Sequence, residues 1–488
     1  MRCLTPGERV TCVKTKIIAT VGPASASRDT LRELVTAGAD VFRLNFAHGD
    51  HAWLAGIVAT IRDISRELER PIGILGDLSG PKIRLDELPG GVIHCRAGEK
   101  YEFVRTPDPA RPDRLTCTYD KLIDELNVGD RVLLADGTVS MHVIEKHGAE
   151  GRVVCRVEQS GDIRSRQGLN LPGVVLSTPS LTEKDRVDLA WAVENGLDFV
   201  GLSFVRSPGD IVLLRRAIAD LNPSFAPQIV AKIEKMEAVN QLDQILDVTD
   251  AVMVARGDLG VEVDLALVPV LQKRIIRLCN QHRVPVITAT QMLDSMTHNS
   301  RPTRAEAADV ANAVLDGTDA VMLSGETAAG EYPAEAVATM SHICCEAERV
   351  LEPHHQIESA SRSHSRALAV TEAVTLGAAR AAEQLAAELV VVATRGGKTA
   401  MALSQQRSRT PILGVSDSPE TARRLCLYWG VTPVQSDKVH APVQELLEFV
   451  VEWCRVQDVL HSGSKLVVVT STNWSAEGHD LMLVHQIP

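Results

Sequence analysis

The stretch PTRAEAADVANAVLDGTDAVMLS, Pro302–Ser324, decides the fold. Its first part reads as a helix over Arg304–Leu315, because Ala305, Ala308, Val310, Ala311 and Val314 fall broadly on one face. Thr303 stands three residues before Glu306, the pattern of a capping box, so the helix start is marked in the sequence. After a turn the chain becomes the apolar run Asp319–Ser324, the length of a buried strand. Working outward, the same alternation recurs about eight times. The candidate strands are Lys16–Val21, Val41–Phe46, Ile72–Asp77, Asp198–Phe204, Gln228–Ile233, Ala251–Arg256, Pro285–Thr290 and Asp319–Ser324, and Arg28–Ala37 is a second clear helix. Repeated strand–helix alternation predicts a (β/α)₈ barrel, a TIM barrel of about 250 residues, with residues 1–86 and 167–350 as its two pieces.

Between those pieces the texture changes. Gly91–His94, Lys100–Arg105, Arg131–Ala135, Val139–Ile144 and Arg152–Gln159 read as short strands, with turns at Pro107–Pro109 and Asp136-Gly137. Residues 87–166 are therefore expected to form an inserted all-β lid domain. A Ser/His/Arg-rich linker from Glu352 to Arg366 then leads to a helix at Ala367–Ala387. Strands follow at Leu389–Thr394, Ile412–Ser416, Thr432–Gln435, Lys465–Ser471 and Leu481–Gln486, so 351–488 reads as a C-terminal α/β domain. With 488 residues, two or three domains are expected; 45% hydrophobic and 23% charged residues fit a folded chain. Aromatic residues are only 3%, so the core must be aliphatic, as in buried parallel sheets.

Charge and motifs exclude several classes. Fifty-one basic against 63 acidic residues give −12, without basic blocks, which disfavours sequence-independent nucleic-acid binding. No apolar run reaches the roughly 18 residues of a membrane span, and Met1–Glu8 lacks the core of a signal peptide. None of the ten cysteines forms a CxxC pair, and Cys344 and Cys345 are adjacent on an expected helix, so a zinc site or disulfide framework is not read and a cytoplasmic setting fits. There is no HExxH, GxGxxG or GxSxG.

Barrel active sites lie at the C-terminal strand ends. Those ends carry Arg43 and Asn45, Asp77, Lys232 and Glu234, Gly257 and Asp258, Thr288 and Thr290, Ser324 and Glu326. Lys232 and Glu234 flank Ile233 on a strand, so they face the same side. Glu234 and Asp258 lie on adjacent strands and suit one shared Mg²⁺, which takes one or two protein carboxylates. Strand-end salt bridges involving Lys232 and Arg256 are the plainer alternative, and spacing alone leaves both open. Arg43 and Lys232 bring two cations to one mouth, which suits a phosphorylated or carboxylated substrate. Thr290 and Ser324 add neutral donors, and each taken singly reads as strand-end capping. In the last domain Thr394-Arg395-Gly396-Gly397-Lys398-Thr399 resembles the end of a P-loop with Val392 in place of the first glycine. A phosphate pocket and a simple glycine turn both fit it.

These motifs resemble the pyruvate kinase family. The resemblance is carried by Thr15–Pro23, Arg43–Phe46 with His48-Gly49, Asp77–Arg84, Ala231–Glu234, Ala255–Gly260, Ala289–Leu293, Pro302–Glu306 and Met322–Glu326, in family order along the barrel. Leu171-Pro172-Gly173 resembles the return into the barrel. The resemblance implies phosphoryl transfer from phosphoenolpyruvate to ADP. It gives Lys232 and Arg43 the transferring phosphoryl group, and Glu234 and Asp258 the Mg²⁺, with Mn²⁺ as a possible substitute. Gly257, Asp258 and Thr290 take the substrate carboxylate, and Thr290 and Ser324 the protonation of the enolate. It sets Asn45, His48 and Arg84 near the nucleotide, and puts Gln167 where many relatives carry a lysine. A monovalent-cation region at Asn45 and Asp77 is implied too. Here, however, Ala47 and Leu78 stand at the two hydroxyl positions, and Lys82 stands where K⁺-requiring relatives carry glutamate. K⁺ is therefore expected to be dispensable, against the alternative that Lys82 is solvated and K⁺ binds Asn45, Asp77 and backbone oxygens. The family also implies a homotetramer and a phosphorylated effector at Thr394–Thr399. The rivals are a metal-dependent lyase or aldolase, which needs no ADP, and a non-catalytic relative, which would be expected to lack Lys232, Glu234 or Asp258.

Overall fold

The computed structural model describes residues 13–351 and 369–488, apart from 109, 175, 458 and 475–477. The readings of Met1–Glu8, of the Glu352–Arg366 linker and of Ala367 as a helix start lie outside the described residues. Eight parallel strands close a barrel: β1 (Lys16–Thr20), β2 (Val41–Asn45), β3 (Gly73–Asp77), β4 (Phe199–Leu202), β5 (Gln228–Ile233), β6 (Ala251–Ala255), β7 (Val286–Ala289) and β8 (Ala320–Leu323), each pairing with its neighbours in chain order and β8 with β1. The helices Arg28–Ala37 and Arg304–Leu315 occur as read. Ser27 caps the first, accepting from Thr30 N at 3.1 Å. Thr303 and Glu306 form the capping box of the second, at 3.2 and 2.7 Å.

Strand parity sorts the side chains. Ile18, Val41, Leu75, Phe199, Val230, Met253, Ile287 and Met322 fill one apolar cluster inside the barrel. Their neighbours Ile17, Phe42, Ile74, Val200, Ile229, Val252, Val286 and Val321 join the helices in another. Arg43, Asp77 and Lys232 share the inward parity, which is what brings them to the mouth.

Four barrel strands as read begin a residue early, at Ile72, Asp198, Pro285 and Asp319, and at the two aspartates the reason repeats around the barrel floor. Each even strand is preceded by an aspartate whose Oδ2 accepts the N–H of a residue starting the odd strand before it. The pairs are Asp40 with Ile17 N (2.9 Å), Asp198 with Ile74 N (2.8 Å), Asp250 with Ile229 N (2.9 Å) and Asp319 with Val286 N (2.8 Å). Each aspartate also meets an arginine: Arg70, Arg62, Arg215 and Arg407 respectively. On opposite sides of the ring the C-terminal domain joins in, with Arg423 as a second partner 2.6 Å from Asp198 before β4 and Arg407 itself 3.0 Å from Asp319 before β8.

Arg407 and Asp319 are both buried, so Arg407→Ala should cost about 3–5 kcal/mol of stability by stranding a carboxylate. Burial raises the Asp319 pKa and Arg407 pulls it back. Without Arg407 the folded pKa rises further above the unfolded one. The deficit in urea unfolding should therefore grow as pH rises from about 4, and a pH-independent deficit would contradict this account.

The lid is a six-stranded sheet with a two-stranded ribbon, Val92–Cys95 with Gly161–Arg164. Its core gathers Phe103, Leu115, Val132, Met141, Val153 and Cys155. The strand read as Val139–Ile144 runs to His147, because a bulge at Val143/Glu145 restores its pairing with Arg152–Gln159. The C-terminal domain carries β9 (Leu389–Ala393), β10 (Ile412–Ser416), β11 (Val431–Gln435), β12 (Lys465–Thr470) and β13 (Leu481–Gln486), ordered 11-10-9-12-13 with only β13 antiparallel. Among the described residues no helix is long and apolar enough to cross a membrane.

Candidate active site

The mouth is organised around one carboxylate. Asp77, at the end of β3 and 1% exposed, receives Arg43 Nε at 2.7 Å and Nη2 at 2.6 Å on Oδ2, with Lys232 Nζ 3.3 Å from Oδ1. Gly201 on β4 makes room for it, since a Cβ there would lie 2.9 Å from Asp77 Oδ1. Burial opposes the Asp77 charge, but Lys232 and Arg43 outweigh it and hold the carboxyl below its ordinary range. Lys232 also meets Glu234 Oε1 at 2.8 Å and donates to Ser203 Oγ at 2.7 Å, and Ser203 in turn donates to Leu78 O at 2.7 Å. Burial works against the Lys232 charge as well; Asp77 and Glu234 overcome it and raise its pKa. Lys232 is therefore a fixed cation and no base.

Glu234 is 1% exposed and accepts Phe204 N at 2.8 Å. Burial raises its pKa, Lys232 opposes the rise, and Asp258 adds to it. A buried carboxylate thus faces a second one, Asp258, that is partly exposed, and Lys232 only partly neutralises the pair. That donor set fits a hard divalent cation. Lys82 Nζ stands 3.9 Å from Asp258 Oδ1, so the loop after β3 reaches across to the end of β6.

Thr290 follows β7 with φ of 70°, a left-handed backbone that a β-branched residue adopts only when held. Arg256 holds it, donating to Thr290 O at 2.7 Å and pairing with Asp309 at 2.6 Å. Thr290 Oγ1 in turn accepts Gly257 N at 2.8 Å. Both cations of the plain salt-bridge reading do pair, Lys232 with Glu234 and Arg256 with Asp309, and Arg256 braces the Thr290 backbone as well. Ser324 N donates to Glu326 Oε2 at 2.7 Å and Leu293 N to Oε1 at 3.0 Å, so buried Glu326 also supports the loops and is no mouth residue. Thr288 is a correction of the same kind. It is out of phase with inward Ile287 and Ala289, and its hydroxyl meets Thr318 Oγ1 at 2.9 Å.

The nucleotide candidates divide. Asn45 Oδ1 accepts Ala47 N at 3.1 Å and Asn45 O accepts His48 N at 3.0 Å, leaving His48 exposed on a tight turn beside the mouth. Arg84 lies where the chain passes between the barrel and the insertion: its guanidinium donates to Arg166 O at 3.1 Å, and its backbone pairs with Gly168. Gln167 is there too, its Oε1 accepting Arg164 N at 2.8 Å. In the C-terminal domain Gly396 and Lys398 are exposed, while Thr394 and Thr399 are buried. Thr394 Oγ1 accepts from Gly397 N at 3.1 Å. His479 Nε2 meets Ala393 O at 2.6 Å, which makes it the donor there, so Nδ1 accepts the Thr399 hydroxyl at 2.7 Å. The sequence reading missed Ser203; its place at the end of β4, between Leu202 and the left-handed Phe204 (φ 55°), was the available signal.

Barrel, lid and a mouth of fixed cations beside paired carboxylates define an enzyme that handles phosphorylated anions. Residues 12–337 match the family "Pyruvate kinase, barrel domain", and 372–485 match "Pyruvate kinase, alpha/beta domain". The pyruvate kinase of Geobacillus stearothermophilus is 41% identical over 475 residues, 97% of this chain and 80% of that one. Pyruvate kinase 2 of Synechocystis is 44% identical over 423 residues, 86% and 70% of the two chains. The crystal structure of a pyruvate kinase from Cryptosporidium parvum superposes with a TM-score of 0.90 at 36% identity, covering 97% of this chain and 96% of that one. The chain belongs to the pyruvate kinase family and is a phosphotransferase of that family.

Proposed function

We propose that the chain transfers the phosphoryl group of phosphoenolpyruvate to ADP, giving pyruvate and ATP. The observation that carries this is the pairing of Arg43 and Lys232 on Asp77, beside Glu234 and Asp258, in a chain so similar to pyruvate kinases. The barrel, residues 1–86 and 167–350, is the catalytic part; 87–166 is the lid, and 351–488 is regulatory. Arg43 and Lys232 face the phosphoryl oxygens and neutralise charge as it develops in transit. Glu234 and Asp258 would hold Mg²⁺, or Mn²⁺ in its place, which when bound supplies Lewis-acid stabilisation of the substrate oxygens. The Gly257–Asp258 backbone and Thr290 receive the carboxylate, and the Thr290–Ser324 region delivers the proton to carbon 3 of the enolate. Asn45, His48 and Arg84 take the nucleotide, Arg84 as the lid closes over it. Pyruvate and ATP formation from phosphoenolpyruvate and ADP tests the reading; turnover of phosphoenolpyruvate without ADP would favour a lyase and sink it.

K⁺ is dispensable in this reading. Support comes from Lys82 beside Asp258, from Leu78, buried with no side-chain oxygen, and from Ala47, also without one. A homotetramer draws support from Leu265, Leu267 and Val270, which stay exposed at the start of the helix Val268–His282. The cytoplasmic setting rests on the family alone. A phosphorylated effector that takes the Thr399 hydroxyl has to displace its hydrogen bond to His479, whereas Thr394 accepts from Gly397 N and keeps its own proton to donate. Thr399→Glu should therefore abolish activation by phosphorylated effectors while leaving basal turnover within about twofold of wild type, its charge repelling the ligand phosphate. Unchanged activation in that variant would make the loop a turn and nothing more.

A further inference from the structure

The helix Glu183–Glu194 follows the chain's return from the lid, and its first two turns reach two loops of the mouth. Lys184 Nζ donates to Phe46 O at 2.7 Å and to Asp188 Oδ2 at 2.6 Å. The other Asp188 oxygen meets His51 Nε2 at 2.8 Å. The His51 ring stacks on Trp191 at 5.2 Å, and Phe46 packs edge-on against both rings. The Asp188 side chain is only 4% exposed, so water is poorly placed to substitute for either partner. One turn earlier, Asp185 caps the helix and accepts Gly80 N at 3.1 Å, at the start of the loop that carries Lys82 and Arg84.

Phe46 and His51 are the two ends of the turn that presents His48. Within it Ala47, His48, Gly49 and Asp50 are all exposed. At one end Lys184 holds the Phe46 backbone carbonyl, and at the other Asp188 holds the His51 ring. We propose that Lys184 and Asp188 are positioning residues for the nucleotide: by gripping both ends of this turn they set Asn45 and His48 in the geometry that ADP requires. The proposal rests on the reading that Asn45 and His48 take the nucleotide. Arg43, Lys232 and Glu234 are fixed by Asp77, Ser203 and Phe204 instead, so the brace bears on ADP and not on phosphoenolpyruvate.

The test is a steady-state comparison of the full-length Lys184→Met, Lys184→Arg, Asp188→Asn, Asn45→Ala and His48→Ala variants with wild type. The Lys184 side chain is 57% exposed, so its truncation is compatible with folding even if Asp188→Asn is not. Lys184→Met should raise the KM for ADP at least about tenfold, since small misplacements of a binding group carry costs of that order. The KM for phosphoenolpyruvate and the thermal midpoint should stay near wild type, and Lys184→Arg should recover most of the loss. If Asn45→Ala and His48→Ala both leave the KM for ADP unchanged, the nucleotide reading fails first. If they raise it and Lys184→Met does not, the brace is overturned while that reading stands. An equal rise in both KM values, or a lower thermal midpoint without a split between them, also overturns it, because a merely structural residue would act that way.

Discussion

Lys232→Met should lose phosphoryl transfer by at least about 10²–10³-fold while the chain still folds, because a preorganised donor aimed at developing charge is worth that much. The fold survives because each partner of Lys232 has another way to be satisfied. Asp77 keeps Arg43 at 2.6 Å, and Glu234 keeps the Phe204 N–H. Burial already raises the Glu234 pKa, so without Lys232 it takes up a proton more readily. That protonation costs metal affinity, and the variant should need more Mg²⁺ for its residual activity. Turnover and the unfolding midpoint are the two measurements. A variant that keeps more than about a tenth of wild-type turnover would remove Lys232 from the chemistry.

Lys82 carries the second large effect. Its stem packs against Gly168 on the returning lid strand, where a Cβ would fall 3.2 Å from Lys82 Cε, and its ammonium faces Asp258. In the proposed reading the ammonium supplies, from the chain itself, positive charge that K⁺ would otherwise bring. Replacing a large organic cation by K⁺ at matched ionic strength should therefore change activity by less than about fivefold, given one resident charge already in place. Lys82→Glu sets a carboxylate against Asp258 and should cost at least about tenfold in turnover. Adding Leu78→Thr to Lys82→Glu should return part of that loss, and only with K⁺ present. A wild-type enzyme that K⁺ stimulates well beyond fivefold would assign the role to the ion instead.

The sequence by itself determined the barrel, the lid insertion and the last α/β domain, because their signals are local. Strand length, helical periodicity and the Thr303–Glu306 box are each read within a few residues, and all eight barrel strands occur where the apolar runs lie. The same locality made Lys232 and Glu234 legible as a pair, since two residues apart on a strand means one face. Only the tertiary structure decided which polar residues at the strand ends belong to the mouth. Thr288 and Glu326 read like Thr290 and Ser324, yet parity turns Thr288 outward and backbone N–H groups claim Glu326. Asp77 as the common partner of Arg43 and Lys232 joins residues 34 and 155 positions from it, a contact that no local pattern encodes. The four-aspartate floor and the Lys184–Asp188 brace are of the same kind: Asp198 meets Ile74 N and Arg423, and Lys184 meets Phe46 O, partners distant in sequence that only the folded chain brings beside them.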